Sequence, residues 1–429
     1  MILGDIEKEI GTKSPEGIIN PQYGGYCFAS IPSAVEYLFG LKKTSPLSQV
    51  LDRAGIFPSD QLSIVALLID GFGYSQWLKY ADKYEFLKRF TDNGVLAPVT
   101  AVFPSTTAAS LTTMHSGLTP QEHGLLEWWV YFRELGKVIV TLPFMPLGGK
   151  IQDQLLSSGV DPRILFDGKT RYVSLSESGI RSFNLIHSSI ANSAYSSLVF
   201  QGSEVVPFGH ASDLMTRLNG LIADVQSPAY FQVYWGDIDS AAHEYGPHSR
   251  GYLAELDEFF SQLTRGFLGG FPSNRAEQTI MLVMADHGEI SVDPGCTIYL
   301  NEYQELVDGL RTGPDGEKIL PWGSGRDVFV GVRQEKRDEV FEFLSISLEG
   351  KATVVRSEKA LRDGLFGRGE LHREFTSRIG DILILPRGNL TLHYERPYQR
   401  KFTMLGMHGG LSRDEMLVPF AAARVSELI

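Results

Sequence analysis

The chain is poor in cysteine, in positive charge and in long apolar runs. It holds 2 cysteines, Cys27 and Cys296, in 429 residues. Two thiols so far apart are too few for a disulfide framework or a cysteine zinc site. Lysine and arginine total 39 against 51 aspartates and glutamates, a formal charge of −12. Nucleic-acid polymers are held mainly by Lys and Arg that neutralise phosphates, so no such partner is expected. No apolar stretch approaches the roughly 20 residues that span a bilayer. The opening MILGDIEKEIGTK lacks the basic start and apolar run of a signal peptide. The expectation is a cytoplasmic protein with no membrane attachment.

Hydrophobic residues make up 43% of the chain, ample for a large core. SIVALLID (63–70), YFQVYWGDID (230–239) and TIMLVMADHG (279–288) each begin with a short, almost wholly apolar run. Such runs suit strands buried on both faces of a parallel sheet. Between the last two lies a helical stripe of Leu253, Leu256, Phe259, Phe260, Leu263 and Phe267. Strand, helix, strand in that order implies an α/β fold, a mostly parallel central sheet with helices on both faces. Residues 1–60 read as an N-terminal extension. Residues 61–296 and 378–429 read as the catalytic core, and 297–377 as a small α/β insertion. RIGDILILPRG, from Arg378, reads as the point where the main sheet resumes.

The acids and histidines fall at the ends of these strands. Asp70 ends the first, Asp239 follows the second, and Asp286 and His287 end the third. His243 stands four residues after Asp239, on the same side of a helix or tight turn. His408 lies in GMHGG after a further extended region. Ligands of open parallel sheets bind beyond the carboxyl ends of the strands, so residues distant in sequence converge there. Three aspartates and three histidines form a plausible first shell for two divalent cations. Mixed nitrogen and oxygen donors suit zinc, with manganese or iron as alternatives. Taken singly, each residue also reads as a cap or a turn.

FPSTTAASLTTMHSG (103–117) supplies a nucleophile. Its Ser-Thr-Thr run opens a helix, where Ser and Thr are favoured caps. A helix start also directs free N–H groups outward, which favours phosphate. A threonine hydroxyl there, activated by a metal, could attack phosphorus.

These motifs, in this order, resemble the alkaline phosphatase superfamily, and within it the nucleotide pyrophosphatase/phosphodiesterase branch. The resemblance is carried by LLIDGFG, FPSTT…HSGLTPQEHG, DSAAHEYGP, ADHG and MLGMHGG. It implies Thr107 as nucleophile, one metal on Asp239, His243 and His408, and another on Asp70, Asp286, His287 and Thr107. It also implies phosphodiester or pyrophosphate hydrolysis through a phospho-threonine, with Ala108 N–H and the Ser110 hydroxyl supporting the oxyanion. The branch carries asparagine where Ser110 stands and an aromatic residue where Ala108 stands. Trp128, Trp129 and Tyr131 of LLEWWVYF are offered as replacement stacking surface, though a core strand explains them as well.

Two divalent ions bring four positive charges, which three aspartates and a threonine alkoxide cancel. A neutral site suits a small, singly charged diester over a doubly charged monoester. The alternatives are a phosphonate hydrolase of the phosphonoacetate kind, a phosphomonoesterase with the same ligands, a serine-dependent mutase, or a silent binding protein that keeps the fold.

Overall fold

The computed structural model describes residues 1–13, 17–396, 398–399 and 401–429. Among these residues seven strands form the central sheet. They are β1 (Ser63–Ile69), β2 (Val95–Thr100), β3 (Arg181–His187), β4 (Glu204–Phe208), β5 (Ala229–Trp235), β6 (Thr279–Met284) and β7 (Leu417–Arg424). Their order across the sheet is β2-β7-β6-β1-β5-β3-β4. β1 pairs in parallel with β5 and β6, and β3 in parallel with β5 and β4. Within this sheet only β7 is reversed, antiparallel to both β2 and β6.

Successive strand residues face opposite sides of a sheet. Every residue of β1 and of β6 is buried, so both faces of the sheet are covered. The helix Arg250–Gln262 shows how. It buries Tyr252, Leu256, Phe259 and Phe260, and Phe259 stacks on Trp235 of β5 with ring centroids 4.6 Å apart. Truncating Leu256 to alanine would cost about 2–5 kcal/mol, the usual range for a fully buried leucine.

Residues before β1 contribute to this same core. The helices Gly4–Thr12 and Ile31–Leu38 bury Ile6, Ile10, Ile31 and Val35 in one cluster with β1 and β6. Leu3 N–H donates to Leu96 O of β2 at 2.8 Å. Cys27 is buried and Cys296 exposed, and neither is in a disulfide. No helix among the described residues is long and apolar enough to cross a membrane.

A second sheet of four antiparallel strands holds Trp322–Gly323, Val328–Val330, Ile382–Pro386 and Ala352–Arg356, in that spatial order. Here the sequence reading needs correction. ILILP does not resume the main sheet but closes this smaller one, and the main sheet is rejoined only at β7. The reason is packing. Ile382 and Ile384 enter one apolar cluster, while Leu383 and Leu385 enter another. A strand buried on both faces has the same apolar signature whether its neighbours are parallel or not.

Candidate metal centre

The carboxyl ends of β1, β2, β5 and β6 lie along one edge of the sheet. Asp70 follows β1, and its backbone N–H bonds Trp235 O of β5 at 2.9 Å. The next residue is glycine with φ +69°, which turns the chain so that Gly71 N–H reaches Asp286 Oδ1 at 3.2 Å. A Cβ at Gly71 would lie 3.2 Å from the Asp239 Cα and Cβ. The Asp-Gly pair is therefore both a turn and a contact between two site aspartates.

Helix α1 (Thr107–Ser116) starts after β2. Its cap is Thr106, whose hydroxyl accepts from Ala109 N–H at 3.5 Å and donates to Leu126 O at 2.7 Å. Capping by Thr106 leaves the Thr107 hydroxyl free, and it lies 3.3 Å from His287 Nε2. The Ala108 N–H belongs to the first turn, which has no intrahelical acceptor. Ser110 is used differently from the expectation. Its hydroxyl donates to Asp286 O at 3.0 Å, tying α1 to the loop after β6, so its proton is not free for an oxyanion.

Helix α2 (Asp237–Tyr245) follows β5 and carries Asp239 and His243. The i,i+4 spacing brings His243 Nε2 to 3.5 Å from Asp239 Oδ1. His408 Nε2 approaches the same oxygen at 3.7 Å. His408 arrives by a different route. The two-residue strand Gly406–Met407 pairs antiparallel with Ile290–Ser291 just beyond β6, and the chain then runs back into β7.

All three histidines share one orientation. Nδ1 of His243 contacts Gly406 O at 2.7 Å, that of His408 contacts Ser105 O at 2.9 Å, and that of His287 contacts Gly288 O at 3.1 Å. A carbonyl only accepts, so each Nδ1 carries the hydrogen and each Nε2 is left for another role. Each Nε2 faces aspartate. His287 Nε2 is 3.2 Å from Asp70 Oδ1 and 3.4 Å from Asp286 Oδ2. Asp70 Oδ1, Asp239 Oδ1 and Asp286 Oδ2 are buried and have no hydrogen-bond donor. Orphaned carboxylate oxygens beside free imidazole nitrogens fit divalent cations, which would satisfy both.

The donors form a continuous band. Asp70, Asp286 and His287 lie within 4.8 Å of one another, as do Asp239, His287 and His408. His287 thus stands between the two groups, its ring stacked on His408 at 3.6 Å. Burial raises the Asp286 carboxyl well above the usual range, and neighbouring Asp70 adds to it. Burial also raises Asp239. Burial opposes the charged form of His287, yet Asp286, Asp70 and Asp239 outweigh it and lift that pKa to about 10.

Glu289 belongs to the same region and escaped the sequence reading. It is buried, neither carboxylate oxygen has a donor, and Oε1 lies 3.5 Å from His243 Nδ1. A Cβ on Gly406 would meet Glu289 Oε1 at 2.5 Å and Ala242 O at 2.4 Å, so only glycine fits there. Glu289 forms a further group with Asp239 and His243 whose donor atoms lie within 4.8 Å of one another, so its carboxylate stands beside the residues that would hold a cation. Glu289→Gln is expected to weaken metal binding about 10- to 100-fold, measured by competition with a coloured chelator. Unchanged affinity would reduce Glu289 to a space-filling role. The only sequence signal was its place directly after Asp-His-Gly.

Two other histidines near α1 are structural. His115 Nδ1 meets Tyr172 OH at 2.6 Å and His123 Nε2 meets Thr113 Oγ1 at 3.1 Å. Burial drives both to a pKa of about 3. Beside this donor band opens a cavity of about 580 Å³, lined by Asp70, Thr107, Ala108, Trp128, Trp129 and Trp235 among others. Tyr131 lies elsewhere. It shares a strand face with Trp129 but sits two residues further along, 5% exposed and 5.5 Å from the Trp322 ring.

A mostly parallel α/β sheet with this donor band at its edge is the architecture of the alkaline phosphatase superfamily. A profile of the type I phosphodiesterase/nucleotide pyrophosphatase family matches residues 64–411. The chain belongs to that family of phosphoric ester hydrolases. Murine ectonucleotide pyrophosphatase/phosphodiesterase 5 superposes with a TM-score of 0.62 at 17% identity, covering 84% of this chain and 87% of that one. The same figures hold for an inactive threonine-to-alanine variant of it in complex with AMP. Phosphonoacetate hydrolase from Sinorhizobium meliloti 1021, with phosphonoacetate, gives a TM-score of 0.61 at 16% identity, covering 86% and 95%. No curated protein sequence matches the chain.

Proposed function

We propose that the protein hydrolyses phosphodiester or pyrophosphate bonds of small phosphate-containing molecules through a phospho-threonine on Thr107. The observation that supports this most is the common aim of three Nε2 atoms and three orphaned aspartate oxygens, with the Thr107 hydroxyl 3.3 Å from His287 Nε2. Asp239, His243 and His408 would hold one divalent ion, and Asp70, Asp286, His287 and Thr107 a second. Zinc is the first choice for such mixed donors, ahead of manganese and iron. When bound, such ions supply Lewis acidity and neutralise charge at the attacking and leaving oxygens of an in-line displacement.

The chain's own residues perform the rest. Thr107 Oγ1 forms a bond to phosphorus as the bond to the leaving oxygen breaks, and an alcohol or phosphate departs. The Ala108 N–H at the helix start supports an equatorial oxygen. Water then attacks the phospho-threonine, releases the phosphoryl product and restores the hydroxyl. The inactive threonine-to-alanine variant of the murine relative, bound to AMP, agrees with this role.

Asp70, Asp239, Asp286 and a Thr107 alkoxide already balance the four charges of two divalent ions, which disfavours a doubly charged monoester. The breadth of the cavity and its tryptophans favour a bulky, flat group on the substrate. A panel of bis(4-nitrophenyl) phosphate, a nucleoside triphosphate, 4-nitrophenyl phosphate and phosphonoacetate tests this directly. The diester or pyrophosphate should be turned over fastest, and cleavage confined to the monoester or to phosphonoacetate would overturn the proposal. Trp128, 44% exposed on the cavity wall, gives a further check. Trp128→Ala should raise KM for aromatic or nucleotide substrates by about 5- to 150-fold, the equivalent of about 1–3 kcal/mol of stacking, with kcat little changed.

A further inference from the structure

Arg396 stands on the cavity wall, outside every motif that carries the resemblance. The two-residue strand Leu392–His393, paired in parallel with Ile298–Tyr299, leads the chain to it. Arg396 is 4% exposed, and among the described residues it is the one lysine or arginine that lines the cavity. Its guanidinium lies over the Trp129 ring, 4.7 Å from the centroid, a stacking that fixes the plane of the group. Nη1 donates to Tyr394 O at 3.3 Å and Nη2 to Pro321 O at 2.7 Å. Both acceptors are neutral carbonyls, and Nε is buried with no acceptor. A guanidinium offers five N–H groups, so more than half of this fork is unused.

Among the described residues no carboxylate pairs with Arg396. Burial lowers its pKa, opposed by Tyr398 and Tyr394 and not by any acid. Arg326 and Arg378, buried as deeply, each have an acid. Arg326 forms a two-pronged pair with Glu415 at 2.9 Å on each prong, and Arg378 meets Glu134 at 3.3 Å.

A buried cation without a counter-charge is costly, and a ligand on the cavity side can bring that charge. The charge balance of the site says which ligand. A plain diester carries one negative charge, on the phosphoryl group under attack, and the donor band with its two ions already accommodates it. A diester of pyrophosphate carries one charge on each of two phosphoryl groups. The second finds no surplus cation at the donor band and finds Arg396 on the wall. A planar guanidinium matches two phosphate oxygens at once.

We propose that Arg396 is a specificity-determining residue that holds the second phosphoryl group of a pyrophosphate substrate, so that P–O–P bonds are chosen over plain diesters. This role presupposes the hydrolysis proposed above.

The test reads binding, apart from turnover. Metal-loaded protein is titrated calorimetrically with AMP and with α,β-methylene-ADP, which adds a second phosphoryl group and resists cleavage. Wild type is expected to bind the diphosphate about 10- to 150-fold more tightly, the range for hydrogen bonds to a charged group. Arg396→Met, uncharged and of similar reach, should bring the two affinities to within about threefold of each other. Arg396→Lys, a smaller perturbation for use if the methionine variant misfolds, keeps the charge without the fork and should lose about threefold or more of the preference. Equal affinities in wild type, or an unchanged preference in whichever variant folds, would overturn the proposal and leave Arg396 as an anchor for its two carbonyls. Failure of the hydrolytic reading looks different. Turnover of the substrate panel without the diphosphate preference removes only the role of Arg396, whereas the preference without any turnover removes the hydrolysis and leaves the Arg396 contact standing.

Discussion

Thr107→Ala is expected to lower kcat by three to six orders of magnitude, the range produced when a covalent nucleophile is removed. The fold should be untouched, for two reasons. Thr106, not Thr107, caps the helix, and alanine is the best residue for a helical position. The metal should stay, because Asp70, Asp286 and His287 still surround its place. Steady-state hydrolysis of bis(4-nitrophenyl) phosphate, beside metal analysis of the same sample, checks both halves. Retention of more than about a tenth of wild-type turnover would mean that water attacks phosphorus directly. Thr107→Ser, which keeps the hydroxyl, should keep part of the rate.

Stripping the metal should abolish turnover and lower Tm, and the size of that fall should depend on pH. An ion present at a thousandfold excess over its Kd stabilises the folded chain by about 4 kcal/mol, several degrees for a protein of this size. The sign of the pH effect follows from the shifted groups. Asp286 and Glu289 have raised pKa values, chiefly from burial. A raised acid favours the folded state at low pH, and stability falls as pH rises above its unfolded value. His287, at about 10, contributes stability that is complete below about 6.5 and lost as pH climbs through about 10. Metal-free protein should therefore weaken between about pH 6.5 and 10, while metal binding, which releases those protons, strengthens. Thermal melts with and without metal at pH 6 and pH 9 should show the larger metal-induced gain at pH 9. An equal gain at both values would mean that the cluster gives up no protons to the ion.

Much of this was readable in the residues. β1, β5 and β6 announced themselves as almost wholly apolar runs, and Asp70, Asp239, Asp286 and His287 stood where those runs stop. The histidine four residues after Asp239 follows from helical geometry alone. His408 needed the resemblance, because its approach through Gly406–Met407 leaves no periodic trace. Glu289 was hidden for another reason. Nothing in composition separates a buried glutamate behind a ligand from a surface one, and only the packing of Gly406 against it reveals the difference. Ser110 looked like a donor for phosphate by its place on α1, yet the facing carbonyl of Asp286 claimed its proton. The ILILP strand was misplaced because two apolar clusters bury its opposite faces.

β7 lies between β2 and β6, although it is the last strand of the seven in the chain. A polypeptide emerging from the ribosome therefore holds β2 and β6 with open edges until residues 417–424 are made, and open edges invite mispairing. His408 leaves the exit tunnel only shortly before them. Truncated translation products would carry those bare edges and lack the final imidazole, so an interrupted message yields a chain fit for degradation, not a half-working hydrolase.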